Sequence, residues 1–258
     1  MPKITREAMR LYAVSDRSWL APGESLAQAA ETLLRSGVTC FQLREKELDR
    51  DAFLELARSI KPVCRRYNVP FLINDDVEVA LACDADGVHV GQSDESLAQA
   101  RRQLGPDKII GVSCHNVAEA RAALEGGADY LGCGSVFATD TKQNVTRLPV
   151  EELARIRAAV GELPIVAIGG IHEENLPLLR GSGADGVALV SALFAPRDKE
   201  AAARQLLALS RQVLSPGEIC WNHSTSLILT APWPTACMSG RTAPPSFSGK
   251  PAGNRPPI

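Results

Sequence analysis

The sequence predicts an α/β fold closed into an eightfold (β/α)8 barrel, the TIM-barrel arrangement. Three observations carry that prediction. Eight short apolar or β-branched runs, each able to form a buried strand, are spread along residues 11–214, with longer stretches of helical period between them. An Ala-Asp pair stands just before a strand three times, in DADGVHVG (84–91), GADYLGCG (127–134) and GADGVALV (183–190). No G-x-G-x-x-G turn follows the first run, as an open doubly wound sheet binding a dinucleotide would have it. Alternation of strand and helix implies parallel strands joined by right-handed crossovers, and eight such units close a barrel.

In chain order, residues 1–10 form a polar N-terminal extension and LYAVS (11–15) is the first strand. SLAQAAETLLRS (25–36) repeats its apolar residues at three and four, as a helix does, and leads to strand CFQLR (40–44). DAFLELARSIKPVCRRY (51–67) is the next helix, followed by the strands FLIN (71–74), GVHV (87–90) and IIGVS (109–113). VAEARAALEGG (117–127) and PVEELARIRAAV (149–160) flank the strand YLGC (130–133), and IVAI (165–168) and GVALV (186–190) complete the eight. Glycines before the Ala-Asp pairs suit the left-handed residue that ends a helix. Asp86, Asp129 and Asp185 then fall at N-terminal strand ends, where the expected role is stability of the bottom face.

Residues 11–214 are therefore the expected catalytic domain. From residue 215 the composition changes, with eight of the chain's 17 prolines and a single acid, Glu218. Such a segment buries too little apolar surface to offset its ordering entropy, so 215–258 is expected to be a disordered or loosely attached tail. Trp221 and Trp233 give it one means of docking.

Composition excludes several classes of function. At 258 residues and 45% hydrophobic content the chain can bury a sizeable core. Its net charge of -2, with both signs interspersed, offers no basic stripe to nucleic acid or an anionic membrane. MPKITREAMR has no apolar signal region, and no later run approaches the roughly 18 apolar residues of a membrane span, so a cytoplasmic location is expected. Seven dispersed cysteines without a C-x-x-C pair argue against disulfides and a zinc knuckle, and the four histidines match no zinc spacing. A homo-oligomer is left open.

In such a barrel, function belongs to the loops leaving the C-terminal strand ends. Strand two runs into Gln42, Arg44 and Lys46, strand three into Asn74, Asp75 and Asp76, strand four into Gln92 and Asp94, and strand five into Ser113 and His115. Strand six opens a loop with Thr139, Thr141 and Lys142, strand seven ends in Gly169-Gly170 and strand eight in Ser191. Helix capping would account for one such residue, Asp76 best, but not for cations, hydroxyls and carboxylates together. The combination fits a polyphosphate handled through a metal: Asp75 and Asp94 as hard oxygen ligands for Mg²⁺, with Arg44, Lys46 and Lys142 neutralising the remaining charge. A glycosidase acid pair fits less well, because three nearby cations would keep both carboxyls ionised. Gly169-Gly170 and the helix start after Val190-Ser191 suggest a second, monophosphate site. The expected partners are phosphorylated small molecules.

The segments LYAVSD, QLREK, INDD, ADGVHVGQSD, IGVSCH, GADYLGCGSVFATDTK, IVAIGGI and GADGVALVSAL, in that order over residues 11 to about 195, resemble the thiamine phosphate synthase family. The resemblance implies that a hydroxymethylpyrimidine diphosphate loses pyrophosphate and its methylene carbon is captured by the nitrogen of a hydroxyethylthiazole phosphate. It implies pyrimidine diphosphate contacts at Gln42, Leu43, Arg44, Glu45, Lys46, Asn74, Ser113 and Lys142. It further implies Mg²⁺ on Asp75 and Asp94, and thiazole phosphate contacts at Thr139, Asp140, Thr141, Gly170, Val190 and Ser191. The rivals are a thiazole tautomerase of the same barrel family, in which a histidine after strand five would move a proton, and a non-catalytic barrel that binds phosphate ligands. Intact Asp94 and Thr141 speak against the first, and intact Lys142, Asp75 and Asp94 against the second.

Overall fold

A computed structural model describes residues 3–92, 97–138 and 147–214. Its eight parallel strands are β1 (Leu11–Val14), β2 (Cys40–Leu43), β3 (Phe71–Asn74), β4 (Gly87–Val90), β5 (Ile109–Cys114), β6 (Tyr130–Gly134), β7 (Ile165–Ile168) and β8 (Gly186–Leu189). They pair in sequence order, and β8 pairs back with β1 to close the barrel. Each strand falls within a residue of its expected bounds.

The crossovers hold α1 (Leu26–Arg35), α2 (Arg50–Arg66), α3 (Val77–Ala82), α4 (Leu97–Leu104), α5 (Val117–Glu125) and α6 (Val150–Val160), with α7 (Ser191–Phe194) and α8 (Lys199–Val213) after β8. Between β7 and β8 stands a single 3-10 turn, Leu176–Leu179. Side-chain caps start most of the longer helices: Ser25 and Gln28 form a reciprocal box at α1, while Asp49, Asp76, Asn116 and Asp198 each accept a backbone N–H of the first turn. Caps of this kind contribute about 1 kcal/mol each.

Period-2 alternation divides the buried residues into two layers. Phe41, Leu43, Phe71, Ile73, Val88 and Val90 face outward into the shell between strands and helices. Tyr12, Val14, Cys40, Leu72, Ile109, Tyr130 and Val166 face the barrel interior, which Ile4 and Met9 also help fill. Two inward glycines make room for rings: a Cβ on Gly111 would lie 2.0 Å from Tyr130 Cζ, and one on Gly132 2.8 Å from His89 Cε1. No helix among the described residues is long and apolar enough to cross a membrane.

The three aspartates of the Ala-Asp echo act alike. Asp86, Asp129 and Asp185 each accept the N–H of a residue at the start of the preceding strand, Phe71, Ile110 and Ile165, at 2.8 Å. Arg101 pairs with Asp129 at 2.6 Å, and Arg157 donates to Asp185. These carboxylates therefore fasten the bottom of β3, β5 and β7 to the strand that follows. Asp185→Ala is expected to cost about 2–4 kcal/mol, since it leaves the Ile165 N–H without its acceptor and a largely buried Arg157 guanidinium without its counter-charge. Equilibrium urea unfolding checks this, and kcat well below Tm should be unchanged because the site lies at the other end.

Candidate active site

A cavity of about 300 Å³ opens at the C-terminal ends of the strands. Gln42, Arg44, Lys46, Asn74, Asp75, Ser113, Gly170, Val190 and Ser191, all singled out from the sequence, line it. Asp94, Thr139, Asp140, Thr141 and Lys142 lie outside the described residues.

Two of the expected contacts point elsewhere. Leu43 is fully buried in the shell between strands and helices, because it alternates with the inward Gln42. Glu45 pairs with Arg17 at 2.5 Å and accepts the backbone N–H groups of Lys46 and Glu47. Burial pushes its pKa up, but Arg17 and those two N–H groups outweigh it and hold the carboxyl below the usual range. Glu45 thus stays charged and folds the loop so that Arg44 and Lys46 reach the cavity.

The Asn74-Asp75-Asp76 triplet divides its labour through one backbone feature. Asp75 has φ 64°, the left-handed region, and its N–H donates to His89 O at 2.9 Å. That turn separates Asp75, at the cavity, from Asp76, which caps α3 by accepting Val79 N–H at 2.8 Å. A non-glycine residue in this region costs about 1–2 kcal/mol, although aspartate tolerates it better than most. Asn74 Nδ2 donates to Asp75 Oδ2 at 2.5 Å, and Lys46 Nζ stands 3.8 Å from the same oxygen. The donors at this rim are hard oxygens beside cations, which suits Mg²⁺. Among the described residues no group of three or more His, Cys, Asp or Glu side chains is assembled to hold a metal, and Mg²⁺ characteristically uses one or two carboxylates with substrate phosphates supplying the rest.

At the opposite rim Gly169 and Gly170 have φ 102° and 61°. A Cβ on either would come within 2.0 Å of the loop after β6, at Ser135 Oγ or Ala138 O. The close approach these glycines permit is thus first to that loop. The helix after Val190, expected to supply a dipole, is the four-residue α7, whose field is that of one turn.

Two residues of the site, Tyr12 and Tyr130, were not picked out by sequence reasoning. Tyr12 (β1), Tyr130 (β6) and His89 (β4) join Gln42 to Ser113 across the interior, and all five line the cavity. Gln42 Nε2 donates to Tyr12 Oη at 2.6 Å, Tyr12 and Tyr130 Oη are 2.8 Å apart, and His89 Nδ1 is 2.8 Å from Tyr130 Oη and its Nε2 2.9 Å from Ser113 Oγ. Burial pushes both phenol pKa values well above their usual range, so both stay protonated. The available signal was the inward phase of Tyr12 and Tyr130 combined with glycines at facing positions. His115, in contrast, is tied to Glu119 at 2.9 Å.

A (β/α)8 barrel with cations, amides, hydroxyls and a carboxylate around a cavity at its C-terminal mouth has the architecture of an enzyme for phosphorylated small molecules. The sequence profile of the family described as thiamine monophosphate synthase matches residues 11–193, and the chain belongs to that family. It is 47% identical over 201 residues to thiamine-phosphate synthase of Chloroflexus aurantiacus, covering 78% of this chain and 92% of that protein. With the thiamine-phosphate synthase of Caldanaerobacter subterraneus subsp. tengcongensis it shares 45% identity over 185 residues, 71% of this chain and 86% of the relative. The solved thiamine phosphate pyrophosphorylase from Pyrococcus furiosus superposes with a TM-score of 0.74 at 34% identity, covering 81% of this chain and 99% of that one.

Proposed function

We propose that the chain is a transferase that joins a hydroxymethylpyrimidine diphosphate to a hydroxyethylthiazole phosphate, releasing pyrophosphate and forming thiamine phosphate. Family membership along residues 11–193 is the observation that carries this reading. The C–O bond to the diphosphate breaks with its electron pair leaving on pyrophosphate, and the thiazole nitrogen lone pair forms the new C–N bond. That nitrogen has no proton to lose, so no general base is needed. Catalysis then rests on positioning and on electrostatic stabilisation of the leaving group and the cationic methylene.

Arg44 and Lys46 supply positive charge at the rim where the diphosphate would lie, with Lys142 assigned to the same task from the loop after β6. Asp75 and Asp94 would hold Mg²⁺, which when bound neutralises part of the pyrophosphate charge. Gln42, Asn74 and Ser113 orient the pyrimidine diphosphate, and Thr139, Asp140, Thr141, Gly170, Val190 and Ser191 receive the thiazole phosphate, all in the cytoplasm. Against a tautomerase stand Asp94 and Thr141 in the sequence and the pairing of His115 with Glu119.

The test is pyrophosphate release from the pyrimidine diphosphate with Mg²⁺, with and without the thiazole phosphate. Release matched by thiamine phosphate only when both substrates are present is expected; no release with both would sink the assignment. Residues 215–258 lie beyond the matched family region, and we assign them no part in this reaction. A chain ended after Leu214 is expected to keep its kcat and its Tm within about 2 °C, since the removed composition offers little to bury. A fall in soluble yield would instead indicate that Trp221 or Trp233 docks on the barrel.

A further inference from the structure

Five hydrogen-bonding side chains from β1, β2, β4, β5 and β6 form one unbroken line across the barrel interior: Gln42, Tyr12, Tyr130, His89 and Ser113. A phenol has a single proton, so a direction taken at one end can be followed to the other, while Tyr12 also meets Cys40 and Tyr130 also meets Gln42. Gln42 donates to Tyr12 through Nε2. In the direction that Gln42 starts, Tyr12 gives its proton to Tyr130 and Tyr130 gives its own to His89 Nδ1. In that order the imidazole carries a proton on Nε2, which it donates to Ser113 Oγ. Ser113 therefore accepts from within the barrel and turns its own O–H toward the cavity, while Gln42 presents Oε1 there as an acceptor.

The line is built into the barrel's packing. Gly111 vacates the volume the Tyr130 ring fills and Gly132 the volume beside His89, so any side chain at either position would push a ring off the line. Tyr12 and Tyr130 are almost wholly buried, and their rings meet edge to face with centroids 6.0 Å apart. The polarity of the line is thus sheltered from water, which would otherwise offer either hydroxyl a competing partner.

We propose that Tyr12, Tyr130 and His89 are positioning residues that hold Gln42 as an acceptor and Ser113 as a donor toward the pyrimidine diphosphate. The role rests on the condensation proposed above: a serine O–H aimed into the cavity donates to the diphosphate oxygen on which negative charge accumulates as the C–O bond breaks. That interaction strengthens in the transition state and should appear in kcat.

The experiment has a spectroscopic arm and a kinetic arm. In protein labelled with ¹⁵N-histidine, long-range ¹H–¹⁵N correlation should show His89 neutral with its proton on Nε2. A proton on Nδ1 in the unsubstituted protein would overturn the proposal whatever the kinetics. Tyr130→Phe keeps the ring and removes the middle link. It is expected to give a mixture of His89 tautomers and to lower kcat on the order of tenfold, with KM for the thiazole phosphate unchanged. Tyr12→Phe should act the same way and replaces Tyr130→Phe if that variant does not fold. His89→Gln, able to accept on Oε1 and donate from Nε2, should retain more kcat than His89→Leu. Phe variants with unchanged kcat and unchanged His89 shifts would overturn the proposal. An unsubstituted protein that releases no pyrophosphate would sink the condensation reading instead, and the tautomer measurement would still decide the order of the line.

Discussion

Asp75→Gly is expected to lower kcat by about 10²- to 10³-fold without lowering Tm. The two readouts separate because Asp75 has two attributes that glycine treats oppositely. Its carboxylate stands at the cavity rim with Asn74 Nδ2 at 2.5 Å and Lys46 Nζ at 3.8 Å, where the proposed chemistry needs a hard oxygen ligand. Its backbone has φ 64°, which glycine adopts without a Cβ penalty, offsetting the flexibility that glycine adds to the unfolded chain. Asp75→Ala should show the same kinetic loss and a lower Tm, because alanine keeps the Cβ and loses the local hydrogen bond. Steady-state kinetics across a Mg²⁺ titration and a thermal melt measure both. Activity within about threefold of the unsubstituted chain would remove Asp75 from the metal site.

Lys142→Gln carries the second large effect, a fall in kcat of about 10²-fold with much smaller changes in either KM. The lysine stands in FATDTKQN, in the sequence that follows β6, and the proposed reaction assigns it to the diphosphate. If its ammonium neutralises the diphosphate as the bond breaks, the interaction is made chiefly in the transition state, and that is the kinetic signature. Lys142→Arg should recover only part, because a planar fork does not replace a compact point charge at a crowded phosphate. A normal kcat with a raised KM for the thiazole phosphate alone would assign the lysine to the other anion, leaving the leaving group to Arg44, Lys46 and the metal.

The strands were legible because each is a short apolar run between punctuating residues, and α1, α2, α5 and α6 because their apolar residues keep a helical period through every turn. The β7–β8 connection was less so: EENLPLLRGS carries Pro177 in its middle, and Leu176–Leu179 forms a single 3-10 turn. At the site, the rule that function gathers at C-terminal strand ends located Gln42, Arg44, Lys46, Asn74, Asp75 and Ser113 at one cavity. Leu43 and Glu45, which only the family resemblance implied as contacts, direct their side chains elsewhere. Alternation turns Leu43 outward, and Glu45 is taken by Arg17, a residue 28 positions away whose proximity no local pattern reveals.

The sequence by itself determined the closed eightfold barrel, the bottom-face role of Asp86, Asp129 and Asp185, and the capping role of Asp76. Each follows from period, order along the chain or hydrogen bonding within a few residues, which are local properties. Only the tertiary structure decided that Tyr12 and Tyr130, 118 residues apart, bring their hydroxyls within 2.8 Å, and that His89 and Ser113 continue the same line. Closing the barrel sets strands distant in sequence face to face across one interior, and the glycines that leave room for the rings act only on partners that closure supplies. That line is a property of the assembled interior, because its links join side chains from five different strands.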